Sequence, residues 1–475
     1  MEVVAGLDLV TAVLLFFWVV YLWENYLSFR QRGVYKTTRD IPWELRSVLE
    51  HDTFEKARLY QLDKNGFSFW AGLYSQLEMT VILLLGGIPF LWRKSGDVTG
   101  YFGYGPEYEI LQSVMFVLLG TVFSTVTGLP WGLYSTFVIE DRHGFNKQTL
   151  GFYFKDLAKK FVVTQLISLP VAAGLLYIIK AGGDYFFIYA WLFTFVVTMG
   201  LIFIYADYIA PLFDRFTPLP EGDLRTQIET LAASIEFPLY KIFVVEGSKR
   251  SSHSNAYFFG FYKNKRIVLF DTLLEENPVN KEAAAGEDAG NASSEDSSDT
   301  ASEPEQKGEG DAKGEEKKKK IGCSNDEILA VLGHELGHWK LGHNLKNIII
   351  SQVNTFLCFF LFALLSNWKE LYEAFGFPDS QPALIGLLVI FQFIFSPYNE
   401  LLSFLMTVLS RRFEFQADTF AQGLNKGADL CTALIKLNKD NLGFPVHDWL
   451  YAAWHYSHPG LLERLRALDY RQKEQ

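Results

Sequence analysis

Two histidines four residues apart, with a glutamate between them, stand in His334-Glu335-Leu336-Gly337-His338. On a helix, residues i and i+4 share a face, so both imidazoles can bind one Zn2+ at roughly 2.0–2.1 Å. Glu335 lies beside them without occupying the metal. It can take the proton from a water that the metal has acidified towards a pKa of about 7. The nucleophile is then water, no Ser or Cys is needed, and the reaction class is peptide-bond hydrolysis. With 9 His among 475 residues, this spacing arises by chance with a likelihood on the order of one percent. Two surface histidines on an ordinary helix are the plain alternative, and a third ligand decides between them, because a catalytic zinc keeps three protein ligands and one open position.

Glu414, in Glu414-Phe415-Gln416-Ala417-Asp418, is the best third ligand. Glu414 and Asp418 are again four apart on a predicted helix. Glu414 can bind the metal while Asp418 accepts a hydrogen bond from the far N–H of a ligand histidine, which fixes tautomer and ring orientation. Alone, Glu414 would read as a solvated charge beside Arg411 and Arg412; beside the paired histidines it reads as a ligand. His343 lies five residues beyond His338, off the shared face, and is not expected to ligate. His143, His253 and His447 have no partner spacing and read as surface or packing residues, whereas His455 and His458, in Trp454-His455-Tyr456-Ser457-His458-Pro459, stay open. The three cysteines, Cys323, Cys358 and Cys431, are far apart and odd in number, so neither a disulfide framework nor a thiolate site is expected.

The elements that must position these residues are apolar. Charged residues are only 20% and aromatics reach 16%, with 42 Phe, too apolar for an ordinary soluble enzyme. The apolar residues cluster in seven blocks, roughly Leu7–Trp23, Met79–Trp92, Ile110–Ile139, Phe161–Ile179, Tyr185–Ala206, Ile348–Ser366 and Ala383–Leu409. Each is read as a membrane span, which takes about 20 helical residues. The second is short, and Pro130 and Pro397 predict kinks in the third and seventh. The net charge of −11 is concentrated in one polar stretch and gives no basic face, which argues against a nucleic-acid partner.

Eight basic residues lie between Arg30 and Lys64 and five between Arg142 and Lys160; the intervening loops hold only Arg93 with Lys94, Lys180, and Lys369. The positive-inside rule then puts the N-terminus on the lumenal side and both zinc motifs on the cytosolic side. The chain between the motifs leaves and returns through two spans, so both meet at the mouth of one helix pair. The expected organisation is a bundle of spans over 1–206, a cytosolic helix and small sheet over 207–274, and a disordered insertion over 275–320. The HExxH helix follows over 321–347, spans six and seven over 348–409, and a cytosolic C-terminal part over 410–475.

Asp223–Ile235 has the 3.6-residue apolar spacing of an amphipathic helix. Ile242–Val245, Ser254–Phe258 and Arg266–Phe270 read as strands, the last two joined across Tyr262–Lys265. The insertion has too few large apolar residues to fold, and its Asn291-Ala292-Ser293 sequon, cytosolic in this topology, is expected to stay unmodified. Ser324 with Glu327 forms a capping box, from which one helix is predicted through Asn347 into the sixth span.

The segments Val331–Trp339, Arg411–Asp418, Ser254-Asn255-Ala256-Tyr257, and His458-Pro459 with Arg464 together resemble the type I CAAX prenyl proteases, in their vertebrate form, over nearly the whole chain. The resemblance implies a mainly α polytopic membrane protein. Its seven transmembrane helices would surround a water-filled intramembrane chamber, and a cytosolic zinc metalloprotease domain with a small β-sheet would hold one Zn2+ per chain. It implies residence in the endoplasmic reticulum and inner nuclear membrane, and cleavage after the prenylated Cys of farnesylated CAAX proteins, prelamin A among them. It also implies that Ser254, Asn255, Ala256 and Tyr257 form an edge strand that pairs with substrate, and that His458 stabilises the oxyanion. Arg464 would hold the histidine region or the carboxylates. Two other readings are a quality-control membrane protease of broad specificity and a zinc carrier without hydrolysis. The carrier is disfavoured because the ligand motifs lie at span ends rather than midway along several spans.

Overall fold

The structure, a computed structural model, describes residues 8–260, 264–275 and 322–469. The predicted insertion, apart from Glu275, and its sequon therefore lie outside the described residues, as do Tyr262 and Lys263 of the Tyr262–Lys265 turn.

Long runs of Leu, Phe, Val and Ile form helices, because in lipid only a helix satisfies every backbone donor and acceptor within one segment. The membrane part comprises α1 (Leu9–Thr37), α2 (His51–Leu84), α3 (Gly87–Tyr101), α4 (Glu109–Tyr134), α5 (Leu150–Ala181) and α6 (Phe186–Ile204). Among the described residues five helices are long and apolar enough to cross a membrane, and up to seven spans result when each of two bent pairs counts as one. The second predicted span straddles one of these bends. α2 and α3 meet at 70°, where Gly86 adopts φ 65°, a left-handed geometry open to glycine at little cost. The other pair, Ala383–Ile394 and Ser396–Gly423, bends by 58° beside Pro397, as that proline predicts. Pro130 stays inside α4, and the helix continues beyond it as a π-helical stretch over Ser135–Glu140. Only 6–17% of the spanning windows of the five unbent helices is buried, and the buried residues that these helices do share, Val13, Phe116, Leu176 and Phe362 among them, form one apolar cluster.

The polar part begins with β1 (Phe216–Pro218), α7 (Asp223–Ser234), β2 (Leu239–Val245), β3 (Ala256–Phe259) and β4 (Lys265–Phe270). Their order in the sheet is β1-β2-β4-β3, so β3 is an edge strand. β2 runs parallel to β4, and both outer pairs are antiparallel. β1 escapes sequence reading because three residues are too few to show alternation, and β3 begins two residues later than predicted.

Then come α8 (Asn325–Lys340), α9 (His343–Leu365), α10 (Ser396–Gly423), α11 (Gly427–Asp440), α12 (Trp449–His455) and α13 (Leu461–Ala467). The capping box forms: Ser324 Oγ accepts from Glu327 N, and Glu327 Oε2 accepts from Ser324 N at 2.8 Å. The single helix predicted from Ser324 through Asn347 does not form. α8 stops at Lys340, Gly342 takes φ 68°, and α9 starts a new direction at His343.

α8 is buried from two sides. Ile328, Leu332 and Leu336 pack with Ile228 of α7 and Ile267 and Leu269 of β4. Ala330 packs with Ala421 of α10, Leu430 of α11 and Leu465 of α13. A helix enclosed in this way is a rigid platform for side chains that must hold a fixed geometry.

Candidate active site

α8 and α10 cross where their side chains are small. An added Cβ on Gly337 would stand 3.1 Å from the Phe420 ring and 3.2 Å from Ala417 Cα, so glycine at this point lets the two backbones approach. That approach brings His334 and His338 on α8 against Glu414 and Asp418 on α10.

The three predicted ligands converge. One donor atom from each of His334, His338 and Glu414 lies within 4.8 Å of the others. The two Nε2 atoms are 3.2 Å apart. His334 Nε2 is 3.4 Å from Glu414 Oε2, and His338 Nε2 is 3.2 Å from Glu414 Oε1. Glu414 Oε2 is buried with no hydrogen-bond donor, an arrangement that leaves a costly orphan unless a cation supplies the missing partner. Two imidazoles and a carboxylate are a donor set that suits zinc, so the residues fit a metal ion.

Each histidine is held from behind. Asp418 Oδ1 lies 2.8 Å from His334 Nδ1, which assigns the N–H to Nδ1 and directs the Nε2 lone pair to the cluster. Arg464 donates to both Asp418 oxygens, from Nη2 at 2.6 Å and Nε at 2.8 Å, and its Nη2 lies 3.2 Å from His334 Nδ1. Burial works against charge on the His334 imidazole, but the Asp418 and Glu414 carboxylates outweigh it and hold the pKa up at about 9. The pocket is thus built to accommodate positive charge. Glu335 is half-buried, and burial raises its carboxyl above the ordinary value against the pull of the His334 and His338 rings. That shift brings it closer to the pH at which a general base works best.

His338 has a partner that the sequence reading set aside. His343 Nδ1 lies 3.0 Å from His338 Nδ1, and His343 Nε2 lies 3.0 Å from Gln416 Oε1. His343 also stacks on Phe413, with ring centroids 4.0 Å apart. His343 lies outside the cluster of three donor atoms and faces the far side of one of them. The signal was Gly342: a glycine after Leu341 permits the left-handed turn that swings His343 back over α8.

His458 is largely exposed, with Nε2 3.3 Å from Glu414 Oε1, so it borders the cluster on its open side. His455 instead meets Glu24 at 3.0 Å and belongs to the packing of α12 on α1.

The predicted substrate strand is brought beside α8, with Ser254 and Asn255 just ahead of the strand proper. Ser254 is buried ahead of β3, with its hydroxyl donating to Thr272 O at 3.1 Å, so its side chain is committed to the fold. Asn255 O accepts from Phe270 N at 3.0 Å. By strand alternation Ala256 and Phe258 turn their backbone groups to the open edge. Asn441, unnoticed in the sequence, anchors the approach: its Oδ1 accepts from Ser254 N and meets His253 Nδ1, both at 3.1 Å.

Comparison with known proteins agrees with this architecture. Residues 31–215 match the family described as CAAX prenyl protease N-terminal, five membrane helices, and residues 218–472 match peptidase family M48. The human protein named CAAX prenyl protease 1 homolog is 68% identical over 461 residues, covering 96% of this chain and 94% of that protein. CAAX prenyl protease 1 of Saccharomyces cerevisiae is 34% identical over 465 residues, covering 94% of this chain and 92% of that protein. The crystal structure of S. mikatae Ste24p superposes with a TM-score of 0.82 at 34% identity, covering 98% of this chain and 99% of that one.

Proposed function

Because this chain belongs to peptidase family M48, and within it to the CAAX prenyl proteases, we propose how its own residues divide the work of that reaction. It is a multi-spanning membrane metalloprotease that trims the C-termini of prenylated CAAX proteins. Zinc is the metal that two histidines and a glutamate suit best, with His334, His338 and Glu414 as its ligands. When bound, the metal supplies Lewis-acid activation of a water and of the scissile carbonyl.

Glu335 takes the proton of the attacking water on its carboxylate and returns it to the leaving amide nitrogen. Its raised pKa suits both transfers. His458 Nε2 donates to the carbonyl oxygen as negative charge develops there; its place on the open side of Glu414 supports that role. Asp418 keeps the proton on His334 Nδ1, and Arg464 keeps Asp418 in place. The substrate adds as a strand at the open edge of β3, beside the Ser254–Tyr257 segment, through main-chain bonds to outward-facing groups such as those of Ala256 that demand little of its sequence. Ser254 supports that edge from within the fold.

The basic residues flanking the spans favour a lumenal N-terminus and a cytosolic active site. Residence in the endoplasmic reticulum and inner nuclear membrane, a water-filled chamber among the membrane helices, and prelamin A among the substrates belong to the same reading. The observation that carries it is the approach of three donor atoms to within 4.8 Å on two packed helices.

The test is a side-by-side measurement of metal content and cleavage of a farnesylated peptide. Glu335→Gln is expected to keep its metal and lose cleavage, and Glu414→Ala to lose the metal. Normal cleavage by the first, or full metal content in the second, would refute the assignment. An unprenylated peptide cleaved equally well would favour broad specificity instead.

A further inference from the structure

α10 has a second working face. Val408, Arg412, Phe415 and Thr419 recur at i, i+4, i+7 and i+11 and share one side of the helix, while Glu414 and Asp418 fall on the other. Against that outer side, under the turn between α8 and α9, lies a cavity of about 920 Å³. Its walls combine three cations, Lys346, Arg411 and Arg412, with apolar Leu341, Val408 and Phe415, and among the described residues no carboxylate lines it.

The cations are poorly compensated. Arg411 Nη2 pairs with Glu463 at 2.8 Å, but its Nη1 is buried without an acceptor. Lys346 lies over the Phe413 ring, 5.4 Å from its centroid. Among the described residues neither Lys346 nor Arg412 has a carboxylate at ion-pair distance. A buried donor with no acceptor and two free cations around one cavity are the electrostatic complement of an anion.

Position then identifies the kind of anion. Lys346 sits one turn into α9, and Arg411 and Arg412 sit just beyond the predicted seventh span, so the cavity lies at headgroup depth. The neighbouring surface is exposed and apolar: Leu345, Ile349 and Val408 are 61%, 53% and 48% exposed. A free phosphate has no use for such a surface, whereas acyl chains do.

We propose that this cavity binds an anionic glycerophospholipid. The phosphate lies between Lys346, Arg411 and Arg412, and the chains run down past Val408 along α9. Basic pockets at the polar ends of membrane helices bind headgroups in this way. None of His334, Glu335, His338 and Glu414 lines this cavity, so the proposal does not depend on their assignment, although Gln416, the partner of His343, stands in its wall.

The full-length protein in detergent, titrated with short-chain fluorescent phosphatidylserine in competition with phosphatidylcholine, tests the proposal. The double variant Lys346→Glu with Arg412→Glu is expected to bind phosphatidylserine about thirtyfold more weakly, since each basic residue near a membrane surface contributes roughly fivefold. The charge-conserving pair Lys346→Arg with Arg412→Lys should bind as the parent does, and metal content should be the same in all three. Phosphatidylserine binding unchanged by charge reversal would overturn the proposal. So would equal preference for phosphatidylcholine, or displacement of the lipid by an equal concentration of inorganic phosphate.

Discussion

Asp418 Oδ1 lies 2.8 Å from Nδ1 of His334. The contact joins two residues 84 positions apart and leaves His334 one tautomer, with Nε2 free for a metal. Asp418→Asn keeps the shape but not the charge. If its amide oxygen faces His334, its NH2 is turned towards the Arg464 guanidinium, and one of the two contacts is lost. Metal affinity is expected to fall about 10–100-fold, the usual cost of removing such a partner. Chelator competition measures it, and unchanged affinity would remove Asp418 from the site.

His343 plays the corresponding part for His338. His343→Ala deletes the acceptor 3.0 Å from His338 Nδ1 and should weaken metal binding by about tenfold. Gly342→Ala meets no atom within 4 Å but forces a side chain onto φ 68°, at a cost of roughly 1–2 kcal/mol. Because that turn delivers His343, Gly342→Ala should also lose metal affinity although it touches nothing. If only His343→Ala weakens the metal, the turn is not what positions the histidine.

How far the sequence reaches depends on the range of the interaction that decides each feature. The spans and the capping box at Ser324 follow from local apolar runs and a local hydrogen-bond pattern, and both are legible. The convergence of Glu414 on His334 and His338 is readable because i,i+4 spacing survives on any helix. The break at Gly342 was missed because propensity favours continuing a helix that was to end in a span, and one left-handed residue outweighs it. Asn441 was invisible: its contacts with His253 and Ser254 span 187 or more positions, and an asparagine near a helix end carries no distinguishing pattern. Ser254 was assigned to the substrate strand by its place in a motif, whereas its burial and its bond to Thr272 are tertiary facts.

The crossing of α8 on α10 can be tested at its glycines. Gly337→Val puts branched carbons where a single Cβ already meets Phe420 at 3.1 Å. Overpacking of this kind costs roughly 1–3 kcal/mol, and here it pushes His334 and His338 away from Glu414. Metal content and peptide cleavage should fall together. Gly333→Ala is the control on the same interface: its Cβ would sit 3.7 Å from Ala421 and Leu424, ordinary contact distance. Gly333→Ala should keep the metal and gain up to about 1 kcal/mol of helix stability. If both variants behave alike, the close approach at Gly337 is not what sets the site.

The C-terminal part should weaken in acid through a histidine away from the metal. Burial pushes His447 down to about 4, aided by Arg411 and opposed by Glu463. Its Nδ1 accepts from the Tyr456 hydroxyl at 3.2 Å, and the Tyr456 ring stands edge-on to it at 4.8 Å, so the neutral imidazole is the form that fits. The folded pKa is below the unfolded value of about 6.5. The stabilising contribution is therefore complete above pH 6.5 and declines as pH falls towards 4, because the unfolded chain takes up a proton that the folded one refuses. The loss by pH 4 is on the order of 3 kcal/mol. His447→Gln keeps an acceptor for Tyr456 but cannot titrate. Protease resistance of the region after α10, followed from pH 7 to 4.5, should drop in the parent and stay flatter in His447→Gln. Superimposable profiles for the two proteins would show that His447 is not the group that senses acid.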